Sequence, residues 1–323
     1  MTPSADTAPF HVLRDGAPAG PLAGAVVAIG NFDGVHRGHR AVLNAAITRA
    51  RALGRPAAAL TFEPHPRTFL HPEEPLFRLT PEPAKLRLLA TTGLDGAIVL
   101  TFDAALASLT AEAFVTQILR GRLAVSGAAI GFNFFFGKNR AGSPEYLAAE
   151  GARHGFAVDI VPQLKDNGRP ISSGPIRTAL AQGRVEEAAA FLGYPWFVTG
   201  TVLTGDRRGR ALGFPTANIR LDPHCRLRHG IYAVRAGLAG ARYEGVASFG
   251  RRPTFDNGAP LLEVHLFDFA CDLYGRTLDV AFIAWIREEE RFESADDLVR
   301  RMHLDSREAR AALARQPDAW PPI

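Results

Sequence analysis

The grammar of this chain changes once, near residue 196, and that change limits the folds open to it. Before it, apolar runs at Ala25–Ile29, Ala57–Phe62, Gly96–Phe102, Ala124–Gly131 and Phe156–Pro162 alternate with helical patterns over His39–Leu53, Pro81–Thr92, Thr110–Arg122 and Ser143–Gly155. Such alternation predicts a mostly parallel sheet covered by helices on both faces. Ser143-Pro144-Glu145 opens the last helix with a capping hydroxyl, a proline in the first turn and an acid at the positive dipole end. Two short helices follow, one ending near Gly183 and one over Val185–Leu192. Beyond Gly193-Tyr194-Pro195 come β-rich segments at Phe197–Leu203, Gly230–Leu238, Ala241–Phe249, Leu261–Phe267 and Thr277–Ile286. Turn residues such as Gly237 to Gly240 separate them closely, which predicts antiparallel hairpins closing into a small β-barrel. Two helical patterns, from Ser294 and from Asp305, finish the chain.

A length of 323 residues accommodates about two domains, each burying its own core. We place the first over 1–185, a linker over 186–196 and the second over 197–323. The 37 basic and 33 acidic residues are scattered and leave a net charge of only +4. That excludes a strong electrostatic footprint for nucleic acid and suits small anionic substrates. Cys225 and Cys271 form no CxxC pair, so a zinc cage or a disulfide framework is not expected and a reducing compartment is the default. No apolar run reaches membrane-spanning length. Met1 to Pro9 lacks lysine, arginine and an apolar core, and reads as a tail rather than a signal peptide. The expected location is the cytoplasm.

Gly30-Asn31-Phe32-Asp33-Gly34-Val35-His36-Arg37-Gly38-His39 lies between the first apolar run and the first helix. At such a turn, free backbone N–H groups and the helix dipole favour an anion. Gly30, Gly34 and Gly38 allow close approach, with Gly38 leaving room for a nucleotide. His36 and His39 can donate to phosphate oxygens and stabilise charge building on a pentacovalent phosphorus. A zinc reading fails for want of a third ligand nearby. Gly131 to Lys138 hints at a phosphate loop, but its spacing is one residue too long and Asn139 stands where serine or threonine is needed. Arg177 follows Ser172 and Ser173 at a helix start. It either contacts phosphate with them or bridges a surface acid.

In the second half, Gly205 to Asn218 places Gly205, Gly209 and Gly213 among Arg207, Arg208 and Arg210, which suits a loop folding over polyphosphate. Thr216 and Asn218 supply neutral oxygens on one face if the segment is extended, a donor set suited to Mg²⁺ carried by ATP. A polar turn is the alternative. Glu263 alternates with Leu262 and Val264. It is either a solvent-facing strand residue or a carboxylate able to take a hydroxyl proton.

The string Gly-Asn-Phe-Asp-Gly-Val-His-x-Gly-His resembles the bacterial bifunctional riboflavin kinase and FMN adenylyltransferase (FAD synthetase) family, within the nucleotidyltransferases that share His-x-Gly-His. Further motifs follow in the family's order. Thr61-Phe62-Glu63-Pro64-His65-Pro66 resembles its second-strand motif. Gly131 to Gly142 resembles its flavin- and nucleotide-side loop, with Asn133 where aspartate is frequent. Ser172-Ser173-Gly174-Pro175-Ile176-Arg177 resembles its Ser-Ser-Thr-x-Ile-Arg phosphate motif, with Gly174 in place of threonine. Gly213-Phe214-Pro215-Thr216-Ala217-Asn218 is similar to the riboflavin kinase hallmark. Gly245 to Phe255 resembles the next kinase motif, Ser248-Phe249 replacing Asn-Ile.

The resemblance spans the chain past about residue 20 and implies a Rossmann-like α/β nucleotidyltransferase domain followed by a β-barrel kinase domain with terminal helices. It implies phosphorylation of riboflavin to FMN by MgATP, then adenylylation of FMN by ATP to FAD with release of pyrophosphate. The residues it implies for phosphorylation are Glu263 as general base, Thr216 and Asn218 for Mg²⁺, and Gly205, Arg210 and Gly213 for ATP. For adenylylation they are His36, His39 and Arg177 with Gly30, Asn31, Asp33, Gly38, Ser172 and Ser173. Asn133, Phe134, Arg287 and Arg291 fall on the flavin side, although arginines in this segment also pair with acids such as Glu288 and Glu290. The expected partners are small molecules (riboflavin, FMN, ATP), with no nucleic acid and no membrane, and nothing in the sequence specifies an oligomer. Two rivals are a kinase whose first domain has lost adenylylation, and a flavin-binding regulator or nucleic-acid-binding protein without catalysis.

Overall fold

The computed structural model describes residues 9–15, 20–204, 213–251, 260–316 and 319–323. They divide into two compact units, one of Met1–Leu76, Thr80–Ile171 and Ile323, the other of Phe77–Leu79 and Ser172–Pro322.

The first unit runs β1 (His11–Arg14), β2 (Val26–Ile29), α1 (Arg37–Leu53), β3 (Ala57–Glu63), α2 (Pro66–Leu70), α3 (Glu82–Ala90), β4 (Gly96–Thr101), α4 (Ala104–Ser108) and α5 (Ala111–Ala113). A π-helical stretch over Phe114–Arg122 continues α5. Then come β5 (Gly127–Gly131), α6 (Pro144–Arg153), β6 (Ala157–Val161), β7 (Lys165–Asp166) and β8 (Arg169–Pro170). Six strands form one sheet in the order β1-β4-β3-β2-β5-β6, and every pairing is parallel. β2 is buried along its whole length, as strands covered on both faces require.

The winding direction reverses between β2 and β5, the switch point outside whose strand ends such sheets bind ligands. Ala28 pairs with Ala129, so Gly30 and Gly131, each two residues further on, leave the sheet side by side.

Several local features differ from the sequence expectation, and the short elements α2, α4, β7 and β8 carried no pattern long enough to announce them. β1 is a four-residue edge strand with no alternation to reveal it. α1 begins at Arg37 rather than His39, because the His36 side chain caps it. The strand expected from Ala124 begins at Gly127, since Ala124 has φ 48° and belongs to the turn. The helix expected over Thr110–Arg122 is wound as a π-helix from Phe114.

The second unit holds α7 (Ser173–Ala181), α8 (Val185–Leu192), β9 (Phe197–Leu203), β10 (Ala217–Arg220), β11 (Gly230–Leu238), β12 (Ala241–Arg251), β13 (Pro260–Leu266), β14 (Thr277–Arg287) and α9 (Ala295–Ala314). The strands close into an antiparallel barrel in the order β10-β13-β12-β11-β14-β9. β11 turns into β12 through Ala239 and Gly240, at φ 50° and 85°, the pair of left-handed residues that a two-residue hairpin of this twist needs.

Two C-terminal helical patterns were expected, and the chain forms the single helix α9. Asp305 opens no second helix. It lies inside α9 with its carboxylate buried against Arg287 and Arg301. The far end of α9 is tied down by buried Arg235, which donates to the carbonyls of Leu313, Gln316 and Ala319. A cation there answers the orphan carbonyls and the negative dipole end.

Candidate functional site

The histidine loop is shaped before any ligand arrives. Phe32 and Val35 hold φ 50° and 35°, a region that costs energy for an aromatic and more for a β-branched residue. Both side chains are fully buried, so packing over-determines the bend. His36 is the N-cap of α1, its Nδ1 accepting from the His39 N–H at 3.1 Å. That bond leaves the proton of a neutral His36 ring on Nε2, a donor by construction. The His36 and His39 rings stack at 3.5 Å between centroids and 16° between planes. A Cβ on Gly38 would meet the His36 ring and the Ile171 carbonyl at 3.2 Å. The space that glycine leaves is therefore already used by protein atoms, not held open for a nucleotide.

Asp33 is buried and accepts from the Thr80 N–H at 2.9 Å, while the Gly34 N–H donates to the Thr80 hydroxyl at 2.9 Å. Its carboxylate ties the loop down. The Asn31 carbonyl is held by the Thr61 hydroxyl at 3.2 Å and by Lys85 Nζ at 3.4 Å. Lys85 is only 1% exposed and pairs with Glu63 at 2.7 Å, with Thr61 Oγ1 at 3.1 Å. Sequence reasoning missed Lys85 and Thr80. A lysine within an amphipathic helix reads as solvated, and its partners lie on other elements.

The loop after β5 presents Asn133 to solvent. Phe134 stacks on Phe136 at 5.4 Å and packs against the core cluster. The exposed rings are Phe132 and Phe135, the latter under the Arg140 guanidinium. Phe134 therefore supports this loop from behind, and the ring open to a ligand beside Asn133 is Phe132.

Ser172, Ser173 and Arg177 lie in the second unit. Ser172 is the N-cap of α7 without using its side chain for the cap. Arg177 Nε donates to the Phe77 carbonyl at 2.6 Å. Gly174 is exposed, with nothing within 4 Å of where a Cβ would stand.

In the barrel, Asn218 faces Glu263 directly across the β10–β13 ladder, and Ser248 faces Glu263 from β12. Thr216 and Asn218 line a cavity of about 500 Å³ with Pro215, Phe269, Cys271 and Tyr274. From β13 the cavity is lined by Val264 and Leu266, which alternate to the other face from Glu263, and Glu263 reaches it only through its cross-strand partner Asn218. Thr216 and Asn218 give a hydroxyl and an amide carbonyl, hard-oxygen donors whose chemistry fits Mg²⁺. Sequence reasoning missed the β13–β14 loop as a cavity wall, because nothing in residues 269–274 carries a recognisable pattern. Gly213 is exposed at φ 82°. Gly205 and Arg210 lie outside the described residues.

Arg287 is engaged twice by Asp305, at 2.7 and 2.6 Å, and also reaches Glu290 at 3.7 Å. Its guanidinium clamps β14 to α9 and is not presented to a ligand. Arg291 is exposed. Among the described residues no helix is long and apolar enough to cross a membrane.

Comparison with known proteins agrees with both halves. A family model for FAD synthetase matches residues 20–175 and one for riboflavin kinase matches residues 192–313. The bifunctional riboflavin kinase/FMN adenylyltransferase of Escherichia coli (strain K12) is 40% identical over 291 residues, covering 90% of this chain and 93% of the relative. Those of Pseudomonas fluorescens and Bacillus subtilis (strain 168) are 41% and 36% identical, over 90% and 94% of this chain and 94% and 95% of theirs. Among solved structures, a macrolide-efflux protein from Streptococcus pneumoniae superposes with a TM-score of 0.80 at 32% identity, covering 93% of this chain and 98% of that one. With both domains present and this identity along nearly the whole length, the chain belongs to the family of bifunctional riboflavin kinase/FMN adenylyltransferases.

Proposed function

We propose that this chain phosphorylates riboflavin to FMN and then adenylylates FMN to FAD, each reaction in its own domain. The observation that carries the reading is the co-occurrence of two built sites, the stacked His36/His39 pair at the start of α1 and the Asn218–Glu263 pair beside the barrel cavity. The functional domains are 1–185 and 197–323, joined by 186–196.

For phosphorylation, Glu263 accepts the proton of the terminal ribityl hydroxyl as that oxygen attacks the γ-phosphorus of ATP, and ADP leaves. Thr216 and Asn218 would hold Mg²⁺, which neutralises phosphate charge when bound. Gly205, Arg210 and Gly213 belong to the ATP-covering segment. For adenylylation, a phosphate oxygen of FMN attacks the α-phosphorus of a second ATP and pyrophosphate leaves. His36 Nε2 and His39 donate to the charge that builds there, aided by the first amides of α1. Gly30, Asn31, Asp33 and Gly38 set the loop. Ser172, Ser173 and Arg177 take the remaining phosphates. Positioning suffices for this step, and it needs no protein nucleophile. Asn133 and Phe132 face the flavin in the first domain, with Phe134 supporting them from behind, and Arg291 faces the flavin in the second, with Arg287 holding β14 to α9.

Cys225 and Cys271 are both free thiols, which fits a cytoplasmic location. Small molecules are the partners, and no nucleic acid is invoked. The test is purified protein with riboflavin and MgATP, products resolved over time. FMN followed by FAD is the expected result. FMN alone removes the adenylyltransferase half, and no flavin turnover overturns the whole reading.

A further inference from the structure

The β10–β13 ladder ends at the Ala217–Val264 pair. Continuing the antiparallel register would set Thr216 opposite His265 and Pro215 opposite Leu266. The residue before Thr216 is proline, which has no N–H to give, so its one backbone anchor is its carbonyl. That carbonyl lies 2.9 Å from His265 Nδ1. A carbonyl only accepts, so Nδ1 carries the proton in this contact. The imidazole thus supplies, from the side chain, the tie that the ladder cannot make at this point.

The same ring holds the next residue back. Phe214 is buried, with the His265 ring at 5.1 Å and the His303 ring of α9 at 4.9 Å. Asn218 is positioned by the ladder itself, paired with Glu263 and Leu203. Among the described residues Thr216 has no ladder partner, since β10 begins at Ala217. Its place in the cavity wall depends on what holds Phe214 and Pro215.

We propose that His265 is a positioning residue for riboflavin phosphorylation, fixing Thr216 beside Asn218 through its Nδ1–H bond to the Pro215 carbonyl and its packing on Phe214. The inference rests on reading the barrel cavity as the MgATP site. It assigns His265 no contact with substrate. Its effect is carried by the nucleotide-holding wall, so it acts on MgATP binding and leaves the proton transfer at Glu263 alone.

Asparagine and glutamine separate this role from bulk packing. The side-chain amide of asparagine reaches the place of Nδ1, whereas that of glutamine reaches the place of Nε2. In the full-length chain, His265→Gln should raise KM for MgATP in riboflavin phosphorylation by about fivefold to tenfold, the worth of one hydrogen bond, with kcat changed by less than about twofold. His265→Asn should return KM to within about twofold of wild type. Calorimetric binding of Mg–ADP should follow the same order without turnover. The imidazole ¹⁵N shifts of the ligand-free wild-type protein should report Nδ1 protonated. Adenylylation of supplied FMN should be unchanged in both variants.

An unaltered KM in His265→Gln, equal impairment of the two variants, or an unprotonated Nδ1 each overturns the role of His265. A wild-type chain that makes no FMN instead overturns the kinase reading beneath it. The ¹⁵N shifts then still decide whether the clamp exists.

Discussion

Asn218 and Glu263 are direct partners across the antiparallel β10–β13 ladder, so their side chains leave the same face of the barrel wall at neighbouring positions. The pairing joins a neutral oxygen donor that lines the cavity to a carboxylate on the next strand. Backbone hydrogen bonds hold both, which is more exact than a loop would be. The division of labour proposed for the kinase domain follows: Asn218 and Thr216 towards phosphate and its cation, Glu263 towards the acceptor hydroxyl.

Glu263→Gln keeps size and strand pairing but removes the base. FMN formation should fall by about 10²- to 10⁴-fold, the span for a lost general base. FAD formation from supplied FMN should remain at the wild-type rate. Chromatography of both products checks this, and a variant that still phosphorylates riboflavin at close to the wild-type rate removes Glu263 from the mechanism.

His36 has two duties, capping α1 and facing phosphate, and asparagine distinguishes them. Asparagine is among the best N-cap residues, so His36→Asn should leave thermal stability unchanged, whereas His36→Ala should lose about 1 kcal/mol. Both should lower FAD formation by about 10²- to 10³-fold, as loss of a preorganised donor does, and spare FMN formation. If asparagine restored adenylylation, the ring would be a cap and nothing more.

Lys85 and Glu63 form a buried ion pair at 2.7 Å. Lys85→Met takes a buried cation from the Glu63 carboxylate, the Thr61 hydroxyl and the Asn31 carbonyl and should destabilise the protein by about 3–5 kcal/mol. Adding Glu63→Gln should recover a large part, because the carboxylate charge that Lys85 balanced is then gone. Urea unfolding of the single and double variants measures the difference. Additive losses would show that the two residues are not coupled.

Asp15 supplies a pH dependence with a definite sign. Burial opposes its charge, but hydrogen bonds from the Thr101 side chain and N–H and from the Arg122 guanidinium outweigh it and hold the carboxyl below its ordinary value. Its stabilisation is therefore complete above the ordinary carboxylate pKa of about 3.9 and lost as pH falls through the lowered value. Asp15→Asn should unfold more readily than wild type at neutral pH, and the two should converge in acid. A gap that persists at about pH 2 would assign the loss to packing.

Much of this was legible in the sequence because it is written in local periods. The extents of β9 and β11 match their apolar and turn patterns residue for residue, and α8 does so through its apolar spacing. What escaped depends on partners far along the chain. Arg287 reads as pairing with nearby acids, and it does reach Glu290. Its principal partner is Asp305, eighteen positions away and itself readable only as a helix signal. Phe134 and Phe132 are two residues apart in a run of aromatics, and only the packing of Phe136 and Tyr146 decides which ring turns inward. Side-chain capping by His36 was hidden for a different reason, since imidazole is not among the usual cap residues.

Gly174 is the one place where the phosphate motif lacks a hydroxyl, and the site around it is open. A Cβ there would touch nothing within 4 Å, and the residue is exposed in the first turn of α7. Threonine should therefore enter without strain, and its helix propensity is no worse than that of glycine, so stability should change by less than about 0.5 kcal/mol. If Ser172, Ser173 and Arg177 take ATP phosphates during adenylylation, a hydroxyl at 174 adds a donor among them. Gly174→Thr should then lower KM for ATP in FMN adenylylation by about threefold, the gain from one hydrogen bond near its central value, and leave riboflavin phosphorylation unchanged. An ATP titration at saturating FMN measures it. No change in KM would mean that the start of α7 lies away from the triphosphate, and the adenylylation site would then rest on the histidine loop alone.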